Sequence, residues 1–146
     1  MKITRTLAAV ALSGALMACA ATAAPKSTPT PEQSQAMLTA YQAAAGEPVN
    51  YFNNVTRGAT KWDPLGQEHL VVYTRPSTAY LLRLDGQCIG LDHATAISMG
   101  LGRQIYVKTN YVTVLGPENP GGIRCRIEEI RPVDVKQVQA AIKALK

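Results

Sequence analysis

Histidine, cysteine, large aromatic residues and clustered charge are all scarce in this chain, and each scarcity excludes something. Two histidines, His69 and His93, occur in 146 residues. A zinc centre wants at least three ligands at familiar spacing, and two separated imidazoles do not begin one. A hydrolytic site needs a nucleophile, a base and an orienting group brought together, yet Ser77 and Ser98 lie in no Gly-x-Ser-x-Gly elbow. Gly100-Leu101-Gly102 lacks the further glycine and the Lys-Ser or Lys-Thr pair of a phosphate loop. The fifteen basic and ten acidic residues are dispersed, whereas nucleic-acid binding calls for a basic stripe. No catalytic residue, metal ligand set or cofactor is assigned on these grounds.

Long apolar runs are missing too. The longest, Leu7 to Met17, is broken by Ser13 and Gly14 and falls short of the ~20 residues that span a bilayer. Lys2 and Arg5 precede it, and Ala18-Cys19-Ala20-Ala21-Thr22-Ala23-Ala24 follows. Basic start, short apolar run and small residues are the order of a secretory signal peptide. Residues 1–23 are therefore expected to be an export signal, and two cleavage sites compete. Ala21-Thr22-Ala23 fits the Ala-x-Ala rule, with cleavage after Ala23; Leu16-Met17-Ala18-Cys19 resembles a lipobox, which would make Cys19 a lipidated first residue and an outer-membrane anchor. The expected location is the periplasm or cell envelope, with soluble release preferred to anchoring. Without Lys2 and Arg5, thirteen basic residues face ten acidic ones, a mild positive excess.

Once Cys19 is removed or lipidated, Cys88 and Cys125 remain as a pair. In an oxidising compartment an even pair reads as a disulfide; the competing reading is a metal site shared with His93.

Residues 24–30 are rich in Pro, Ser and Thr and read as a linker, followed by a single domain over 31–146. Thr30 as N-cap, Pro31 at the first helical position and Gln33 as capping-box partner predict a helix start. Met37, Leu38, Tyr41, Ala44 and Ala45 form its apolar stripe, and Gly46 is the expected stop. Val49–Phe52 is expected as a strand, and Trp62, the only tryptophan, as a plug at the core or its rim. Leu70–Leu84 holds two β-rich runs around Arg75-Pro76-Ser77 and predicts a central antiparallel hairpin, buried on one face and partly on the other. From Gln87 to Gly102 the periodicity dissolves and loops are expected. Ile105–Thr109 and Val112–Leu115 read as strands, and Gly116–Gly122 as a breaker-rich turn. Ile123, Cys125 and Ile127 alternate with Arg124, Arg126 and Glu128 as a half-buried strand. The alternation breaks at Ile127-Glu128-Glu129-Ile130, which predicts a bulge or strand end. Asp134 as N-cap, Gln137 at the capping-box position and the stripe Val135, Val138, Ile142 and Leu145 predict a terminal helix.

Arg75, Arg83, Arg124, Arg126 and Arg131 fall on expected strands or turns. Arg124 and Arg126 share one strand face and are candidates for contact with an anion or partner; pairing with Glu128 and Glu129 is the competing, preferred reading. Asp63, Asp85, Asp92, Glu128 and Glu129 read as turn formers and solvated strand positions rather than the acid–base pair that glycoside hydrolysis needs.

Ala45-Gly46-Glu47-Pro48-Val49, Trp62, Leu65-Gly66, Thr74-Arg75-Pro76, Ala79-Tyr80-Leu81-Leu82, Cys88, Arg124-Cys125-Arg126-Ile127 and Arg131-Pro132-Val133-Asp134 together resemble a family of small proteobacterial envelope proteins. That family is defined only as a domain of unknown function, and many of its members look like lipoproteins. The resemblance runs from Ala45 to Lys136. It implies one exported domain with Cys88 and Cys125 paired, and it brings no activity, ligand or catalytic residue.

The expected fold is α+β: a curved antiparallel sheet of about five to seven strands with the N-terminal and C-terminal helices packed on it. The expected function is a non-enzymatic binding or structural module of the envelope, its partner an envelope protein or small ligand and not nucleic acid. The alternative is a small envelope hydrolase with a pocket of His69 or His93 and carboxylates.

Overall fold

The computed structural model describes residues 29–54, 61–100 and 102–146; the expected export signal, with Cys19 and Ala23, lies outside them. Helix α1 (Pro31–Ala43) comes first, followed by strands β1 (Tyr51–Asn53), β2 (Lys61–Pro64), β3 (His69–Arg75), β4 (Thr78–Leu84), β5 (Ala96–Ser98), β6 (Gln104–Tyr106), β7 (Tyr111–Gly116) and β8 (Asn119–Val133), and then helix α2 (Val135–Ala144). A curled six-stranded antiparallel sheet has the order β2-β3-β4-β8-β7-β5, and β1 pairs with β6 in a small two-stranded sheet. The fold is α+β with a helix at each end, as expected.

β8 is the spine. Its residues from Ile127 to Val133 pair with β4, and its earlier residues pair with β7. The changeover is the predicted bulge: Arg83 faces Glu129 and Leu84 faces Ile127, leaving Glu128 unopposed. A bulge bends its strand and increases local twist, which suits a spine shared by two halves of a curled sheet. Backbone groups freed there are taken up by the turn after β6, where Lys108 N–H donates to the Ile127 carbonyl (2.6 Å) and Ile127 N–H to that of Asn110 (3.1 Å).

The β3–β4 hairpin is covered on both faces because successive side chains point to opposite sides of a strand. Leu70, Val72, Leu82 and Leu84 enter a core with Phe52, Ile105, Val112 and Ile127. Val71, Ala79 and Leu81 enter a second core with Leu38 and Tyr41 of α1 and Val135 and Val138 of α2. Trp62 packs, partly buried, against the first core.

Both helix starts follow local chemistry. Thr30 and Gln33 form the reciprocal capping box. Asp134 accepts from the N–H groups of Lys136 (3.0 Å) and Gln137 (3.1 Å), but Gln137 turns its amide to the Ala43 carbonyl (3.4 Å) instead of closing a box. Asp134→Ala leaves those two donors to water and is expected to cost about 1 kcal/mol, read as a lower urea midpoint at unchanged slope.

Several boundaries differ from expectation. α1 ends at Ala43, and the backbone of Gly46 is instead held by the Pro132 carbonyl (2.8 Å). β2 and β5 form where the sequence predicts no strand, each ordered by a neighbour it pairs with, β3 and β7. The strand expected over Ile105–Thr109 stops at Tyr106 because Lys108 takes a left-handed φ of 63°. The turn expected over Gly116–Gly122 is a tight one at Pro117-Glu118, and Pro120 to Gly122 already belong to β8, where Gly122 takes φ 80° near a register shift. Glycine at a bulge and proline at a strand's beginning are tolerated for such reasons. Leu145 lies past α2 and is exposed, so the buried stripe ends at Ile142.

Candidate functional site

A groove of about 700 Å³ is bounded by α1, α2 and the β2–β3 edge. Helical spacing places Met37 and Tyr41 one turn apart on α1, and Val138 and Ile142 likewise on α2; with Tyr73 from β3 they make an apolar floor. The two phenols meet in it, Tyr41 Oη 2.6 Å from Tyr73 Oη. Burial, then the Tyr73 hydroxyl, pushes the Tyr41 phenol well above its ordinary pKa, so it stays neutral and serves as a hydrogen-bonding group.

Cations line the groove above this floor. Lys61 faces Tyr73 across the β2–β3 ladder, with its ammonium 4.9 Å from the Tyr73 ring centroid and 3.2 Å from Asp63. Arg75, Lys143 and Lys146 add three more positive charges, so Asp63 is outnumbered four to one among the charged lining residues. The described lining contains no imidazole or thiol.

A smaller cleft of about 270 Å³ lies on the same sheet face, beside Gln42 near the end of α1. His69, Arg83, Glu129 and Arg131 line it with Leu81. Arg131 Nε donates to Glu129 Oε1 at 2.8 Å, and this bond holds the Glu129 carboxyl below its usual range. His69 is pushed below its ordinary value, chiefly by burial. An ionised carboxylate beside a neutral imidazole has no acid proton to give at neutral pH, and no hydroxyl or thiol among the described residues lines the cleft.

The other histidine stands apart. His93, in the loop between β4 and β5, has Nδ1 3.2 Å from Asp92 and 3.6 Å from Glu118, and its side chain is half exposed.

Arg124 and Arg126 project from the exposed side of β8 but do different things. Arg124 lies over the Tyr111 ring, 4.4 Å from the centroid. Arg126 donates to Glu128 (2.7 Å) and Asp85 (3.0 Å). Glu129 is held by Arg131 instead; strict alternation from Ile127 would turn Glu129 into the first core, and the bulge at Glu128 brings it to the face away from that core. Cys88 and Cys125 are joined, with Cα atoms 5.9 Å apart, so neither sulfur is open to a metal. No helix among the described residues is long and apolar enough to cross a membrane.

The groove escaped sequence reasoning. Tyr41 and Tyr73 were readable only as core positions, and nothing local joins Lys61 to Lys143. The lysines in α2's last turn and beyond it are the one available signal, and they read equally well as partners of the helix dipole.

No curated protein and no solved structure matches the chain. A sequence-family profile matches residues 1–146, and the chain belongs to that family, described as a family of unknown function (DUF6491).

Proposed function

We propose that this chain is a non-catalytic, extracytoplasmic binding module whose ligand lies in the groove between α1, α2 and the β2–β3 edge. The ligand is an amphipathic anion: an apolar chain along Met37, Tyr41, Val138 and Ile142, with its charged head among Arg75, Lys143 and Lys146. One observation carries this reading: an apolar floor and four cations share a groove of about 700 Å³, within the range of small-molecule sites. Charge complementarity selects the sign of the head, and the floor selects the chain. The export-like sequence over residues 1–23 and the Cys88–Cys125 bond support a place outside the cytoplasm, either released after Ala23 or tethered through Cys19.

Parinaric acid, a fluorescent fatty acid, tests the reading, with its methyl ester as the uncharged control. The acid is expected to bind saturably and at least about tenfold more tightly than the ester, and Lys143→Glu with Lys146→Glu to remove most of that preference. Equal binding of acid and ester, or no saturable signal from the acid, counts against it.

A further inference from the structure

The helices do not cover the whole sheet face on which they lie. Past the end of α1, one row of the sheet carries His69, Arg83 and Glu129 directly opposite one another on three adjacent strands. The next row carries Val71, Leu81 and Arg131. Side-chain alternation puts all of these on one face, and the cleft of about 270 Å³ opens there.

The charges in this cleft are unevenly matched. Arg131 is engaged twice, through Nε with Glu129 and through a guanidinium N–H with the Gly46 carbonyl (3.4 Å). Arg83 sits between His69 and Glu129 in the register and acts on both at longer range, but its side chain forms no hydrogen bond or salt bridge among the described residues. Within the lining two guanidinium groups share one carboxylate, while Glu68 acts on His69 and Glu47 on Arg131 from just outside it; the Arg83 guanidinium is the one left without a direct partner.

We propose that this cleft is a second binding site, separate from the groove, for a small oxyanion held by the Arg83 guanidinium with His69 as the second donor. A guanidinium presents parallel N–H donors that match a carboxylate or a phosphate-like group. The imidazole N–H stands on the neighbouring strand at the directly opposed position. The unengaged Arg83 guanidinium suits one anion.

This arrangement makes binding depend on pH in a fixed direction. Burial and Arg83 disfavour the His69 cation, while Glu68 in the preceding turn and Glu129 on β8 favour it; Gln42, from α1, is uncharged. The net result is a lowered pKa. A bound anion adds a favourable partner for the cation, so it raises the His69 pKa, and by linkage affinity increases as pH falls through that pKa.

The test follows the His69 ring by NMR while sodium sulfate or sodium acetate is added at constant ionic strength. Sulfate stays fully ionised near neutrality, so its pH dependence reports the protein. The expected result is a saturable shift with at least one anion, a higher His69 pKa in its presence, and binding weakened at least about tenfold in Arg83→Gln. Arg83→Lys keeps the charge without the fork and should retain part of the affinity, which guards against reading misfolding as loss of the site. Stronger binding of acetate assigns a planar carboxylate ligand, and stronger binding of sulfate a tetrahedral one. Shifts that rise without saturating, or an unchanged isotherm in Arg83→Gln, would overturn the proposal. Lys143→Glu with Lys146→Glu should leave this isotherm alone, so failure here and failure of the groove reading are separable.

Discussion

Replacing both Cys88 and Cys125 with alanine is expected to lower the unfolding free energy by about 3–4 kcal/mol from lost chain constraint. The two positions are 37 residues apart in sequence, and the loop they close contains β5, β6 and β7. Those strands are short or lie toward one end of the curled sheet, and their backbone pairing alone does not hold the loop compact in the unfolded ensemble. The bond removes much of that freedom before folding begins. A packing term adds to it, because Cys88 is fully buried and Cys125 nearly so within the first core, and truncation there leaves small voids. Urea unfolding of the two proteins side by side measures the difference. A loss under about 1 kcal/mol would mean that the unfolded chain is already compact around this loop, and the bond would then need another explanation. Thiol titration of denatured, unreduced protein gives the companion check: both sulfurs should be unreactive.

How much of this was readable in advance depended on how locally each feature is encoded. The capping box at Thr30 and Gln33, the Asp134 cap and the hairpin around Pro76 each sit within a few residues of chain, and each is present. The bulge at Glu128 was readable because two adjacent glutamates interrupt a strict alternation. β2 was not: Lys61-Trp62-Asp63-Pro64 has no strand period of its own and becomes a strand by lying against β3. β5 likewise owes its three residues to β7. Pro120 and the glycines after it read as breakers, although the mouth of a hairpin accepts them.

The same distinction separates the sites. The sulfur pair needs only two residues and a compartment, and Arg126 finds Glu128 two positions along its own strand. The groove draws on positions from Met37 to Lys146 across both helices and two strands, and no window of sequence contains it. The cleft is subtler: Arg83 and Arg131 were visible as strand arginines, but their convergence on His69 follows from the order β3-β4-β8 and from the bulge that turns Glu129 and Arg131 toward the helices.

Leu81→Ala and Leu82→Ala, made separately, should each cost about 2–5 kcal/mol, although the two residues are neighbours on one strand. In a sheet with one solvated face, one of a neighbouring pair is cheap to truncate, because alternate side chains face water. Here neither faces water. Leu82 is fully buried in the core with Phe52 and Ile130, and Leu81 is 4 % exposed beneath the helices with Tyr41 and Val138. The two losses also differ in kind. Removing Leu82 opens a cavity between the curled sheet and the β1–β6 ribbon, in a core tied by the disulfide, where collapse is restrained and the cost should fall toward the top of the range. Removing Leu81 leaves space under α1 and α2, where shifting helices can partly refill it and the cost should be lower. That shift would also disturb the groove, so Leu81→Ala should weaken binding of an amphipathic anion while Leu82→Ala leaves it nearly unchanged at a temperature where both proteins are folded. Urea denaturation gives the first comparison and parinaric acid binding the second. A cost for Leu81→Ala below about 1 kcal/mol would mean that the helices rest only loosely on the sheet, and the groove they bound could not then be a preformed site.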